Sequence, residues 1–417
     1  MKPGLLIILA LLPAAWGVLQ DIANTGRGGS IDLRNRVTGA RIAAADKDPY
    51  SYKWMREDPE TFCDLYNEPG GLLSKTTVTP WVLATHAPFN GLNYRTTQWL
   101  WFFLQYGVLI AGVYAWLRSQ ADSAGKYGIA LVLLYCVTPA WRHHVDHGQI
   151  YVVYVALFLF LYAVSQAKPT RAVSIVGGIL GAFTMGGRPV FFEQFAEPVR
   201  NRRWWSLGAT GFGFLVVFVV PVLLFGPRIW NDYRLAMEAH SEIYLLQLKP
   251  TRVPNFTYPG TIEGIPIDTI SGFARIPFAD TSVYKMLSFQ IPPRLVLITW
   301  ALFAGASLCY MIWKKAPGTL LWWAGAAWIL VGDFLLPAFR HTYNDILVIP
   351  LILFGISALQ GRRELKYWLG TSAAVLILMI AAWKIHGWYL VFPSLVLWFS
   401  AAVAAVWALL LAKGGKC

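Results

Sequence analysis

Apolar residues run in blocks along the whole chain. After a first block inside MKPGLLIILALLPAAWGVLQ, they fill about 95–117, 127–140, 149–165, 172–187, 189–199, 206–226, 293–313, 317–336, 343–359, 366–383 and 389–411. A helix needs about 20 apolar residues to cross a hydrocarbon core of about 30 Å. The pattern therefore predicts about twelve membrane helices, with 189–199 a half-helix or a short tilted one. Two long polar stretches, 20–75 and 227–292, interrupt the blocks. TTVTPWVLATHAPFNG at 76–91 carries two prolines and a histidine. Proline removes a helix hydrogen bond and clashes with the preceding turn, so this segment reads as lying on the surface. The first block fits either an uncleaved helix or a signal peptide, having one positive residue, a short apolar run and small residues after it.

Composition agrees with a polytopic membrane protein. Charged residues make up 14% of the 417, against about 25% in an ordinary soluble chain. The net charge of +13 could suggest nucleic acid, but its placement decides otherwise. Fifteen basic residues fall in the termini and in the short loops of one face: Lys2, Arg118, Lys126, Lys168, Arg171, Arg200, Arg202, Arg203, Lys314, Lys315, Arg362, Arg363, Lys366, Lys413 and Lys416. Only Asp122 and Glu364 oppose them, and the remaining 20 basic and 20 acidic residues cancel. This is the positive-inside pattern. It predicts cytoplasmic termini in a cell (inner) membrane, and it accounts for the charge with no nucleic-acid partner. The four cysteines show neither CxxC nor metal-type spacing, so no disulfide framework is expected.

The other face collects the unusual polar groups, which points to a site at the extracytoplasmic membrane interface. In IDLRNRVTGARIAAADKDPYSY, small and apolar residues alternate with Arg34, Arg36, Arg41 and Lys47. This predicts an amphipathic helix lying on the membrane surface, with Asp32 at its N-terminal end. Asp32 or Ser30 could equally be an ordinary N-cap. The run Asp46-Lys47-Asp48 resembles a metal motif but fits a turn before Pro49 better. WRHHVDHGQ (141–149) reads as a loop opening a helix. His143 and His147 would share a helix face, as a metal pair does, yet no carboxylate-rich or cysteine partner accompanies them. Polar interfacial contacts, or a polar or anionic ligand, are the other readings. Arg188 interrupts two apolar runs and needs an anionic partner; Glu193 is the nearby candidate and a phosphate the alternative. AFRHTYND offers Arg340, His341, Tyr343, Asn344 and Asp345, either as a site or as a snorkelling belt. The balanced stretch 227–292 could be a lid or a structural cap.

Several of these segments, taken in order, resemble one family. IDLRNRVTGARIAAADKDPYSY is similar to a first-loop pattern in which an Asp opens an amphipathic helix ending in a g-x-d-P-Y turn. TPWVLATHAPFNGLN resembles an interfacial P-P-L…a-P-f segment, HGQIYVVYVALFLFLYA a GQ-x-N helix start, LGAFTMGGRPVFFEQF…RNRRWW a G…KP…RRRW block, and LLPAFRHTYNDILVIPLILF a sP…H…lllP block. The chain thus resembles the GT-C-fold glycosyltransferases, in particular glycosyltransferase family 87, whose members are polyprenyl-phosphate-sugar-dependent and mannosyltransferase-like. It departs at Arg188, where the family has lysine, at Tyr151 beside the family's asparagine position, and at Thr79-Pro80 for the proline pair.

The resemblance implies an all-α GT-C-like bundle with interfacial helices in its long extracytoplasmic loops, and a first helix that is retained. It implies a catalytic module over 1–230 with the first outer loop at 20–94, a large outer loop at 227–292, and C-terminal membrane helices over 293–417. It implies Asp32 as catalytic base, a lipid-phosphate-linked sugar as donor, no metal and no cofactor. Arg188 with Arg340 or His341 would bind the donor phosphate. His144, Asp146, His147 and Gln149 would bind sugar or acceptor hydroxyls, the acceptor being a glycan, glycolipid or protein. Direct displacement with one base would invert the anomeric centre. A lipid-linked glycan transporter or flippase is the alternative; it predicts polar groups reaching the cytoplasmic half of the bundle.

Overall fold

The computed structural model describes residues 3–27, 30–52, 58–63, 76–120, 122–246, 261–262, 265–266, 292–335, 340–382 and 391–413. The N-terminal half carries α1 (Pro3–Arg27), α2 (Ile31–Ala44), α3 (Pro80–His86), α4 (Tyr94–Leu117), α5 (Asp122–Tyr135), α6 (Pro139–Asp146), α7 (Tyr151–Gln166), α8 (Arg171–Gly187), α9 (Ala196–Arg200), α10 (Trp204–Phe225) and α11 (Ile229–Leu246). After a two-residue hairpin (Thr261–Ile262 with Ile265–Pro266) come α12 (Pro293–Trp313), α13 (Gly318–Leu335), α14 (Val348–Leu359), α15 (Leu365–Ala382) and α16 (Val391–Lys413). The chain is an all-α polytopic membrane protein.

Among the described residues, seven helices are long and apolar enough to cross a membrane: Gly4–Arg27, Tyr94–Leu117, Trp204–Phe225, Arg294–Trp313, Gly318–Leu335, Thr342–Leu359 and Pro393–Lys413. The pair α5 and α6, bent by 65°, makes an eighth, and Tyr151–Gln166, Arg171–Gly187 and Leu365–Ala381 are shorter apolar helices. The twelfth predicted element differs. Residues Pro189–Phe195 form a 3₁₀ helix that runs into the five-residue α9. Its Glu193, Gln194 and Glu197 are buried, so this piece is a packed insert rather than a lipid-facing span. Small residues let the neighbours close up. A Cβ at Gly178 of α8 would lie 2.2 Å from the Ser206 carbonyl of α10, and one at Gly112 of α4 would lie 2.8 Å from Cα of Ala156 of α7. The middle of the bundle is α13 and α14; in their apolar windows 78% and 89% of residues are buried, against 22% in α1 and α10.

The short loops meet at one end. Arg203 Nη2 donates to the Ser165 carbonyl at 2.8 Å, Ser357 Oγ donates to Gln120 Oε1 at 3.0 Å, and a Cβ at Gly318 would lie 3.9 Å from Arg200 Nη1. The basic loop residues therefore share one end of the bundle. Glu197 joins them, 3.4 Å from Arg203, an acid the charge pattern alone had assigned to the other side.

Two sequence expectations change, those for α2 and for residues 139–146, while 76–91 does not span, as expected. The α2 helix is not a surface amphipath: every residue from Leu33 to Ala43 is buried. Two of its arginines donate to backbone carbonyls, Arg36 to Gly148 O and Arg41 to three. Arg41 donates to Asn90 O (3.2 Å), Thr61 O (2.9 Å) and Leu92 O (2.7 Å). Residues 139–146 are helical rather than a loop, because Thr138 Oγ1 accepts from Trp141 N and Pro139 pre-sets the first turn. Residues 76–91 hold only the seven-residue α3 and a 3₁₀ turn at Ala87–Phe89, too short to span. Asp48 closes a turn by accepting from Tyr50 N (2.9 Å) and Ser51 N (3.4 Å). Of the 227–292 stretch, α11 packs on α3 and α10; most of the expected lid lies outside the described residues.

Candidate functional site

The site is built around the N-terminus of α2, at the end of the bundle away from the basic loops. The first N–H groups of a helix have no partner within it and normally need a side-chain cap. Here the turn after α6 supplies backbone carbonyls. Ser30 N donates to Asp146 O (2.5 Å), and Asp32 N and Leu33 N donate to His147 O (3.1 and 3.3 Å). Ser30 sits at φ 63° and makes no side-chain cap. The Asp32 carboxylate is thereby left for other contacts. It is half-buried and accepts from Gln149 Nε2. Gln149 Oε1 accepts in turn from Arg36 Nη1 at 3.3 Å, and Arg36 Nη2 donates to Gly148 O. Arg36 lies over the Trp101 ring at 5.7 Å. Beside it, burial and then the Arg36 charge push the His86 imidazole down to about 3, so this ring is neutral near pH 7.

Gly148 makes the supporting turn, with φ 64°. A Cβ there would lie 2.8 Å from Leu33 Cβ and 3.1 Å from Ser30 Cβ. Gly148→Ala is expected to cost about 1–3 kcal/mol from left-handed strain and overpacking, read as a lowered melting temperature of the purified protein. An unchanged melting temperature would mean that this turn does not hold α2.

A second wall comes from α6 and from residues 341–343. His143 Nδ1 lies 2.9 Å from Thr342 Oγ1. The rings of His143 and His147 lie 5.2 and 5.5 Å from that of His341. Tyr343 stacks on His341 at 4.9 Å and on Tyr151 at 5.9 Å. The third wall is Arg188, at the C-terminal end of α8. Its guanidinium covers the Tyr151 ring at 4.5 Å and pairs with Asp333 of α13. Asp333 is fully buried and also takes Arg340 Nε at 2.8 Å and Asn344 Nδ2 at 3.4 Å. Arg340 Nη2 reaches Asp345 Oδ1 at 2.6 Å, and Ser394 Oγ donates to Asp345 Oδ2 at 2.9 Å. Two arginines and two aspartates thus form a neutral set beneath the site.

Burial sorts these residues into two layers. Asp32, His143, His147, Tyr151, Arg188, His341 and Tyr343 are partly exposed, whereas Arg36, His144, Gln149, Asp333, Arg340, Asn344 and Asp345 are buried. The expected residues divide accordingly. Asp32, His147, Gln149, Arg188 and His341 converge. Arg340 is only 1% exposed, and its charge is answered by two carboxylates, so it underpins the site without facing it. His144 has no exposed surface: its Nε2 accepts from Val152 N at 3.1 Å, and its ring stacks on Trp141. It caps the start of α7, and its Nδ1, with no hydrogen-bond partner among the described residues, is buried. The Asp146 side chain is exposed and within electrostatic reach of Asp21 on α1; what it gives the site is its carbonyl. Among the described residues, no three His, Cys, Asp or Glu side chains are placed to hold a metal. The partner of Arg188 is Asp333, not Glu193, whose two carboxyl oxygens are buried with no hydrogen-bond partner among the described residues. The sequence signal for Asp333 was an acid inside an apolar segment. Arg36, masked by the amphipathic pattern of α2, was not singled out.

Comparison with known families gives one match: the model of glycosyltransferase family 87 covers residues 77–255. That stretch, under half of the chain, holds His143 to Gln149, Tyr151 and Arg188; Asp32 and Asp333 to Asp345 lie outside it. No curated protein and no solved structure matches the chain.

Proposed function

We propose that this glycosyltransferase family 87-like membrane protein, a glycosyltransferase by that likeness, moves a hexose from a polyprenyl-phosphate sugar to an acceptor hydroxyl, with Asp32 as general base. The observation that carries the reading is the Asp32 carboxylate. It is half-buried, released from capping, held by Gln149, and faces a cluster that ends in a partly exposed arginine. Mannose is the sugar the family resemblance favours. The basic loops gather at the opposite end of the bundle, which with the positive-inside rule supports a site on the extracytoplasmic face of a cell membrane.

In the reaction, the acceptor oxygen attacks the anomeric carbon and gives its proton to Asp32. The bond from that carbon to the phosphate oxygen breaks as the carbon gains oxocarbenium character, and the phosphate leaves with the electron pair. Arg188 stabilises the leaving phosphate. Its pairing with Asp333 fixes the guanidinium, and its Nε has no partner among the described residues. His341 and His147 border the same space and supply ring N–H donors. Arg340 and His144 drop out as ligand contacts. One base and direct displacement invert the anomeric centre, so a β-linked donor gives an α-linkage. The acceptor is a glycan, a glycolipid or a protein hydroxyl; the scheme uses no metal and no cofactor.

The test is incubation of the purified protein in nanodiscs with a panel of polyprenyl-phosphate sugars, an acceptor mixture and a chelator. Release of polyprenyl phosphate from one donor is expected, with the anomer inverted in the product. Retention of configuration would remove the single-base scheme. Lipid binding without release from any donor would favour the transporter reading. That reading has one observation of its own. A small, half-open cavity toward the basic end is lined by residues that include Gln194, Glu197, Arg203, Ser165, Ser174 and Ser206. Gln194 Oε1, Glu197 Oε2 and Arg203 Nε there have no partner among the described residues. Translocation of a fluorescent lipid-linked sugar in proteoliposomes, lost in Glu197→Gln, would support it.

A further inference from the structure

We infer that Gln149, with its amide fixed by Arg36, positions the Asp32 carboxylate; this rests on the proposal that Asp32 is the base. It departs from the expectation that Gln149 binds sugar, because Gln149 is 5% exposed and both ends of its amide are engaged within the protein.

The argument starts from Arg36. A guanidinium only donates, so the Gln149 atom facing it has to be the carbonyl oxygen Oε1. The other end of the amide is then the NH₂ group, and it points at Asp32 Oδ2. The orientation of Gln149 is dictated by a charge that arginine keeps in proteins. Flipping the amide would set its NH₂ against a guanidinium and its oxygen against a carboxylate, losing both hydrogen bonds. Gln149 therefore offers Asp32 a donor and never an acceptor. A donor aimed at Oδ2 fixes the rotation of the carboxylate and with it the direction of Oδ1. Arg36 is itself held: Nη2 donates to the Gly148 carbonyl, and the guanidinium lies over Trp101. Nothing in the chain of contacts is free to rotate away.

The intervening amide matters. A direct Arg–Asp fork would engage both carboxylate oxygens. Through Gln149, the cation fixes Asp32 at one remove. Oδ2 is held by the amide, and Oδ1 is the oxygen that the acceptor hydroxyl approaches. The backbone half of the arrangement has the same origin, since His147 O and Asp146 O fix the start of α2. One turn, residues 146–149, sets the position of Asp32 from both its backbone and its side chain.

The test compares wild type, Gln149→Glu, Gln149→Ala and Arg36→Lys, reading kcat and KM separately, with the melting temperature of each. Gln149→Glu replaces the donor with a second carboxyl, and Gln149→Ala removes it. Both are expected to lower kcat by about 10- to 100-fold, the range for outer-shell groups that orient metal ligands, while donor KM changes little. Arg36→Lys loses the bidentate hold on Gln149 and Gly148 and is expected to lower kcat less than Gln149→Ala. A change confined to KM would overturn the inference and return Gln149 to substrate contact. A second readout does not need turnover: the infrared carboxylate stretching bands that Asp32→Asn removes. Their splitting is expected to change in Gln149→Ala, because one carboxylate oxygen loses its donor. If no donor is turned over but the bands shift, Gln149 holds Asp32 and the transfer reading fails. If turnover is present and the bands stay, Gln149 is not the positioning residue.

Discussion

Asp32→Asn is expected to lower turnover by about 10²–10⁴-fold, the usual contribution of a positioned general base, and to leave the protein folded and inserted. The second half of that expectation is what gives the variant its meaning. The start of α2 is held by the Asp146 and His147 carbonyls, so no cap is lost when the carboxylate goes. Asp32 is half-buried and bonded to the Gln149 amide, so no buried ion is left alone by the change. Asparagine keeps an oxygen that accepts from Gln149 Nε2. Removal of a group that acts only in the transition state lowers kcat and kcat/KM together and leaves KM in place. Single-turnover transfer in nanodiscs, with the melting temperature measured on the same preparation, separates the outcomes. Near-normal kcat would remove Asp32 from the chemistry. A fall in melting temperature matching the loss of rate would make it a structural residue.

The membrane architecture was legible because hydropathy acts locally. Each span shows in a window of about 20 residues, and the basic loops show without knowing what they touch. The short insert at 189–199 was flagged by its length, and its two prolines and 3₁₀ start explain why it does not span. The site was legible in its members and much less so in their roles. His143, His144 and His147 sit in one five-residue stretch. Yet α6 turns His144 into the core against Trp141 and leaves the other two beside His341. Helix phase decides that, and a loop over 141–149, the sequence expectation, carries no phase. The arginines of α2 were misread for a different reason. In an amphipathic pattern an arginine facing headgroups and one facing a carbonyl look alike. Arg36 finds Gln149, 113 residues on, and Arg41 finds Leu92, 51 residues on. Such partners are set by tertiary packing and leave no local trace. The same holds for Arg188, whose near neighbour Glu193 was the local choice and whose actual partner Asp333 is 145 residues away.

That pairing leads to the largest expected effect on stability. Asp333→Asn is expected to destabilise the protein by about 3–5 kcal/mol, the cost of removing one member of a buried ion set. Asp333 has no exposed surface and holds Arg188 and Arg340 at once, with Asn344 donating to the same carboxylate. Without its charge, Arg340 keeps its contact with Asp345, and Arg188 keeps the face of Tyr151. Arg188 has an exit that Arg340 lacks, because it borders the partly exposed site. The strain therefore falls mainly on Arg340, which is enclosed by Phe334 at 3.7 Å and by α16 through the Asp345–Ser394 contact. Asp345→Asn removes the weaker share, since Asp345 serves one arginine where Asp333 serves two, and it is expected to cost less. Pairing Asp333→Asn with Arg340→Met is expected to recover part of the loss, because an apolar replacement for a whole buried ion pair is tolerated where half a pair is not. Thermal unfolding of the detergent-purified proteins, followed by fluorescence-detected size exclusion, orders the variants. If Asp333→Asn unfolds at the wild-type temperature, the buried arginines are compensated by something other than Asp333. The fixed orientation of Arg188 toward a leaving phosphate would then need another cause.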